Sequence, residues 1–208
     1  MNKKIIGCLF LLCSVFALGI DYRPNNIKVL EAKIAGEKDR DKVAPMVKEY
    51  NEEFNDYLNS IANNEELIFN LGDQYFKNNR YEAARNIFSK NVDSSRNLFG
   101  AGTTSRFLGD YNKAIDYYTE SLSKEPLIPE AYLGRGLAYR NIGEYKKAIE
   151  DFNTYKSYYD NESVYLALGD IYMAMGNYGK ARGILEVGRG KFPNSKEIQE
   201  MLITIYSK

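Results

Sequence analysis

The 208-residue sequence predicts an all-α fold, a solenoid of four helical hairpins with an extra helix before them and a capping helix after them. Three observations predict it. Apolar residues recur three and four apart along most of the chain, which is the period of a helix with one buried face. One pattern of small and large residues returns four times, with Ala84, Ala114, Ala148 and Ala181 following one another at steps of 30, 34 and 33 residues. Within a copy the apolar face is interrupted by a short turn, as at Ile142-Gly143-Glu144, where Gly143 can take the left-handed conformation that ends a helix. A hairpin this small cannot bury its faces alone, so the copies must stack.

Met1 to Gly19 reads MNKKIIGCLFLLCSVFALG: Lys3 and Lys4, an apolar run, then the small residues Ala17 and Gly19. This is the pattern of a secretory signal sequence, with cleavage expected after Ala17 or Gly19 and a mature N-terminus at Leu18 or Ile20. A run of about sixteen residues is short for a spanning helix, which needs ~20. An uncleaved anchor is one alternative. Lipidation is another, although Cys8 has almost no apolar run before it and Cys13 follows two leucines where a small residue is expected. Cleavage would remove both cysteines, Lys3 and Lys4, leaving 26 basic against 28 acidic residues and a net charge of about −2. An exported chain without disulfides fits a bacterial periplasm and must draw its stability from stacking.

Residues 20–64 form the N-terminal extension. Residues 20–38, with Pro24, read as a flexible lead and a short helix. In 39–64, Val43, Val47, Tyr50, Phe54, Tyr57 and Ile61 alternate at steps of four and three, a heptad-like stripe on a helix of about 22 residues. Packing on the first hairpin competes with a dimerising coiled coil. Too few heptads, and Pro45 in the first turn, favour packing.

The hairpins occupy 65–94, 95–128, 129–161 and 162–193. The third, GLAYRNIGEYKKAIEDF, places Gly136, Tyr139, Tyr145, Ala148 and Phe152. The first aligns Gly72, Tyr75, Tyr81, Ala84 and Phe88; the second aligns Gly102, Tyr111, Ala114 and Tyr118, with Ser105 in the first aromatic position; the fourth aligns Gly169, Tyr172, Tyr178, Ala181 and Leu185. Small residues let two backbones approach while rings fill the space beside them. Residues 194–208 are the capping helix, started by Asn194 or Ser195, with Ile198, Met201, Leu202 and Ile205 inward and Lys196, Glu197 and Glu200 in water.

Over roughly residues 65 to 193 this pattern resembles the tetratricopeptide repeat (TPR) family, whose unit is about 34 residues. The departures are a first unit four residues short, Asn91 and Tyr155 where a small residue is usual, and a closing proline only at Pro126 and Pro193. The resemblance implies a right-handed superhelix whose first helices line a concave groove. It also implies which residues face that groove. Fifth positions are Phe69, Phe99, Leu133 and Leu166; ninth positions are Asp73, Thr103, Leu137 and Asp170; twelfth positions are Phe76, Arg106, Arg140 and Met173. An apolar ladder beside two arginines suits a peptide or helix with apolar anchors and acidic residues. Packing between neighbouring first helices accounts for the ladder equally well, and the arginines could serve only to neutralise nearby carboxylates. The family's carboxylate clamp for chaperone tails needs Lys and Asn where Phe69 and Asp73 stand, so that ligand is not implied.

Composition excludes several chemistries. There is no histidine, and the two cysteines lie in the leader, so imidazole and thiolate catalysis and zinc thiolate sites are not expected, nor any other metal or cofactor. Asp110, Asp116, Glu144, Glu150 and Asp151 could in principle pair as acid and base, but they read as turn and solvated-face positions. No phosphate-cradling glycine loop is present and no basic stripe for nucleic acid. Most of the 18 tyrosines fall at packing positions. The expectation is therefore a non-enzymatic scaffold of a bacterial envelope that binds a partner protein. An accessory domain touching an envelope enzyme or glycan, and a carboxylate hydrolase, remain as alternatives; membrane association through the leader and the oligomeric state stay open.

Overall fold

The structure, a computed structural model, describes residues 21–207, so the signal sequence expected at 1–19 lies outside the described residues. Among these there are eleven helices and no strand. They are α1 (Asn25–Gly36), α2 (Arg40–Ser60), α3 (Glu65–Lys77), α4 (Tyr81–Phe88), α5 (Ser95–Phe107), α6 (Tyr111–Lys124), α7 (Pro129–Asn141), α8 (Tyr145–Tyr158), α9 (Glu162–Ala174), α10 (Tyr178–Lys191) and α11 (Lys196–Tyr206). The chain divides into two compact units, one ending at Gly100 and the other beginning at Ala101, so the division falls inside α5.

Local chemistry sets the helix ends. Asn64, Ser94, Asn161, Asn177 and Ser195 each accept a hydrogen bond from the backbone N–H three residues on, at 3.0–3.3 Å, which satisfies a donor that the first turn leaves open. Pro129 opens α7, where its missing N–H costs nothing. Each hairpin turn passes through one left-handed residue: Asn79 (φ 58°), Gly109 (79°), Gly143 (81°) and Gly176 (69°). Asn79 takes the place of glycine because its side chain tolerates this region best after glycine's.

Each hairpin closes on one contact. A β-carbon added to Gly72 would stand 2.5 Å from the Phe88 ring, to Gly102 2.9 Å from Tyr118, to Gly136 2.6 Å from Phe152, and to Gly169 2.7 Å from Leu185. The partner lies sixteen residues after the glycine in every copy, so the small-and-large alternation is one lock made four times. Phe88 also fills the space at Gly100, and Tyr118 that at Gly134. The alanines at the repeat steps, Ala84, Ala114, Ala148 and Ala181, are fully buried.

In the first unit α2 packs on the first hairpin: Tyr50 stacks on Phe54 at 5.7 Å and Phe54 on Tyr75 at 5.8 Å. Three details differ from the sequence expectation. Leu58 is fully buried while Val47, Tyr57 and Ile61 are half-buried, because a straight helix drifts off a strict heptad toward its 3.6-residue period. Pro45 lies in the second turn, since α2 starts at Arg40. The lead is not loose: Arg23 is buried between Asp21, with contacts of 2.8 and 2.9 Å, and Glu31. Glu31 also accepts from the Tyr50 hydroxyl at 3.0 Å and has Arg80 3.8 Å away, while the Tyr57 hydroxyl donates to the Tyr22 carbonyl at 2.8 Å. Burial would raise Asp21, but hydrogen bonds from Arg23 hold it below the usual carboxylate range.

In the second unit Phe152, Val164, Tyr165, Leu168, Ile171 and Leu185 make a continuous core, which α11 extends with Ile198, Leu202 and Ile205. Met201 packs half-buried beside them, and Lys196, Glu197 and Glu200 face water. Ser195, not Asn194, caps α11.

Candidate functional site

The twelve groove positions are all half-buried, and each unit treats its own differently. In the first unit the Phe69 ring packs on Phe88 at 5.7 Å and lies under the Arg96 guanidinium at 3.6 Å. Phe76 packs on Tyr81 at 5.3 Å, and Asp73 pairs with Lys77 one turn on at 2.5 Å. These side chains are engaged within the unit; Phe99, also half-buried, completes its share of the ladder.

In the second unit Leu133, Leu137, Leu166 and Met173 rest on the edge of the core with part of each side chain in water. Packing and exposure therefore coexist: the ladder holds α7 and α9 to the core and still presents an apolar strip. Arg140 pairs with Asp170, which joins α7 to α9 with both side chains about 40 % exposed. Arg106 differs. It touches the Tyr118 hydroxyl, which donates to Thr103 at 3.0 Å, and lies over the Phe107 ring at 4.9 Å. Its Nε is buried without an acceptor, and no carboxylate pairs with it among the described residues. Burial raises the Tyr118 hydroxyl, and Thr103 and Arg106 offset part of that rise.

Among the carboxylates weighed for catalysis, Asp110, Asp116, Glu144 and Glu150 are exposed as expected. Asp151 is not: it is buried and held bidentately by Arg135 at 2.7 and 2.9 Å. Burial raises its pKa and the Arg135 hydrogen bonds oppose the rise. The pair was legible in principle, because Arg135 and Asp151 stand sixteen residues apart beside the Gly136–Phe152 lock. No group of His, Cys, Asp or Glu is arranged to hold a metal ion among the described residues, and none of their helices is long and apolar enough to cross a membrane.

Comparison with known proteins agrees with this geometry. Residues 99–163 and 162–186 match the tetratricopeptide repeat. Tetratricopeptide repeat protein 12 of Mus musculus is 33% identical over 75 residues, 36% of this chain and 11% of that protein. Photosystem I assembly protein Ycf3 of Dioscorea elephantipes is 26% identical over 113 residues, 53% of this chain and 63% of that protein. The chain thus spans about a tenth of the first relative and under two thirds of the second. Among solved structures, MamA superposes with a TM-score of 0.60 at 21% identity, covering 80% of this chain and 90% of MamA. The first TPR of Spaghetti (RPAP3) bound to HSP90 peptide SRMEEVD superposes at 0.51 and 23% identity, covering 56% and 94%. Sixteen-residue locks, left-handed hairpin turns and these matches lead to one conclusion: the chain has an all-α solenoid fold of the tetratricopeptide type, and its residues 99–186 match the tetratricopeptide repeat.

Proposed function

We propose that this chain is a non-enzymatic scaffold that binds a peptide or helix of a partner protein along the first helices of its repeats, and that it does so after export, at a bacterial cell envelope. The observation that carries the binding reading is the half-exposed strip of Leu133, Leu137, Leu166 and Met173 flanked by Arg106 and the Arg140–Asp170 pair. Apolar side chains left at a surface beside fixed charges favour a ligand with apolar anchors and few charged ones. The neighbour that holds SRMEEVD shows that the same fold can take a short peptide, there one with four charged residues beside Met and Val. That ligand itself is not carried over, since Phe69 and Asp73 occupy the clamp positions. Support for export is the leader pattern of residues 1–19.

A photo-crosslinking residue at Leu166, compared with one at the exposed Lys146 on α8, tests the surface in an envelope fraction of the source cells. One protein joined through Leu166 and absent with Lys146 is the expected result. Crosslinks only through Lys146 would move the binding surface to the second helices.

A further inference from the structure

Arg106 and Arg140 occupy the same repeat position, four residues after Gly102 and Gly136, yet the structure treats them unequally. Arg140 is neutralised by Asp170, which stands one residue after Gly169 in the next repeat. The corresponding neighbour of Arg106, one residue after Gly136, is Leu137. The carboxylate that closes the third step is replaced by an apolar side chain at the second.

Position agrees with this register. The Arg106 guanidinium touches the Tyr118 hydroxyl, and that hydroxyl would lie 2.5 Å from a β-carbon on Gly134. Gly134 is one helical turn before Leu137 on α7, so Arg106 sits beside the α7 face that carries Leu137. The buried Nε of Arg106 has lost hydration without gaining an acceptor, and among the described residues the guanidinium is met only by the neutral Tyr118 hydroxyl and the Phe107 ring, which makes an added carboxylate favourable there.

Resting on the groove reading above, we infer that the second unit has a single carboxylate anchor: Arg106 takes one acidic side chain of the partner peptide, with an adjacent apolar residue of that peptide on Leu137. Arg140 is masked by Asp170 and contributes no anchor. The partner class is a segment with one Glu or Asp next to a large apolar residue, not one with two carboxylates spaced to meet both arginines.

The register supplies a test in both directions. The full chain is presented with a library of capped decapeptides built from Leu, Ala, Gly, Gln, Lys and Glu. The native chain should enrich peptides with one Glu beside Leu. Leu137→Asp rebuilds at Arg106 the pair seen at Arg140, and should erase the Glu preference and weaken the selected peptide about thirtyfold, the usual loss of a charged anchor. Leu137→Asn, alike in shape but uncharged, should keep the preference. Asp170→Leu unmasks Arg140 and should add a preference for a second Glu, while Arg106→Gln should abolish the first. Urea midpoints accompany each variant; if Leu137→Asp does not fold, Arg106→Gln and Asp170→Leu decide the matter. Enrichment without a Glu preference, or a preference that survives Arg106→Gln, overturns the anchor and leaves the groove standing. No enrichment by the native chain overturns the groove reading itself.

Discussion

The hairpin lock makes a quantitative prediction through two glycines that differ only in their surroundings. Gly136 and Gly183 both lie inside helices, so replacing either by Ala gains about 1 kcal/mol of helix propensity. At Gly183 a new β-carbon meets no atom within 4 Å, and Gly183→Ala should stabilise the chain by about 0.5–1 kcal/mol. At Gly136 the same carbon meets the Phe152 ring at 2.6 Å and Asp151 Cβ at 3.2 Å. Ordinary carbon contacts fall near ~3.5–4 Å, so a fully buried ring must retreat by about 1 Å. Overpacking of this kind costs about 1–3 kcal/mol, which leaves Gly136→Ala destabilised by about 1 kcal/mol after the propensity gain. Helix propensity cancels between the two variants, and the gap between them, about 1–3 kcal/mol, reports the contact alone. Urea denaturation of the full chain, followed by circular dichroism and compared at equal slope, measures it. If Gly136→Ala proves as stable as Gly183→Ala, Phe152 does not close on Gly136 and the account of the hairpin is wrong.

Ala148→Leu should cost about 1–3 kcal/mol and lower protection beyond its own hairpin, since stacked repeats share their interfaces; hydrogen exchange in α9 and α10 reads the spread. Arg23→Ala leaves Glu31 buried without its main cation and should destabilise the first unit by about 3–5 kcal/mol in a urea melt. Asp21 lies below its unfolded value, so its contribution is complete above about pH 4 and is lost as pH falls through the folded value; Asp21→Asn should flatten the acid limb of stability against pH. Intact mass of the protein from its source should start at Leu18 or Ile20; a mass retaining Met1 means an anchor, and a diacylglyceryl adduct on Cys8 or Cys13 means a lipoprotein.

What could be read in advance was whatever repeats. Gly72, Gly102, Gly136 and Gly169 recur with their large partners, and Gly143 announces its turn, because backbone approach and positive φ admit few residue types. Polar pairings were hidden for the opposite reason. Arg140 and Asp170 are thirty residues apart, and Arg23 and Glu31 pair across the start of α1, eight residues apart; many other charges share their spacing. Asp151 looked like a surface residue because a helical wheel does not show that Arg135 of another helix covers it. Leu58 fell outside the heptad stripe, and Asn79 escaped notice since a left-handed asparagine carries no motif of its own. Among the groove residues, position on the wall was legible, whereas the difference between a masked Arg140 and an acceptor-poor Arg106 required knowing what stands opposite each.

The constant sixteen-residue interval between glycine and lock residue also says where the chain tolerates a change of length. From lock residue to the next glycine the interval varies, Phe88 to Gly102, Tyr118 to Gly136 and Phe152 to Gly169 being 14, 18 and 17 residues. All drift in repeat length thus falls between the lock residue and the next first helix: α4 stops at its lock residue Phe88, whereas α6 and α8 run six residues past Tyr118 and Phe152, and the connectors that follow also differ in length. One residue inserted at Gly143 would turn α8 by about 100° about its axis and carry Phe152 away from Gly136. One inserted among Glu125–Ile128, or at Tyr159 ahead of the Asp160 contacts and the Asn161 cap, only lengthens an exposed or half-exposed link. Those connectors are the places to graft a reporter or a second binding module, and the hairpin turns are the places to leave intact.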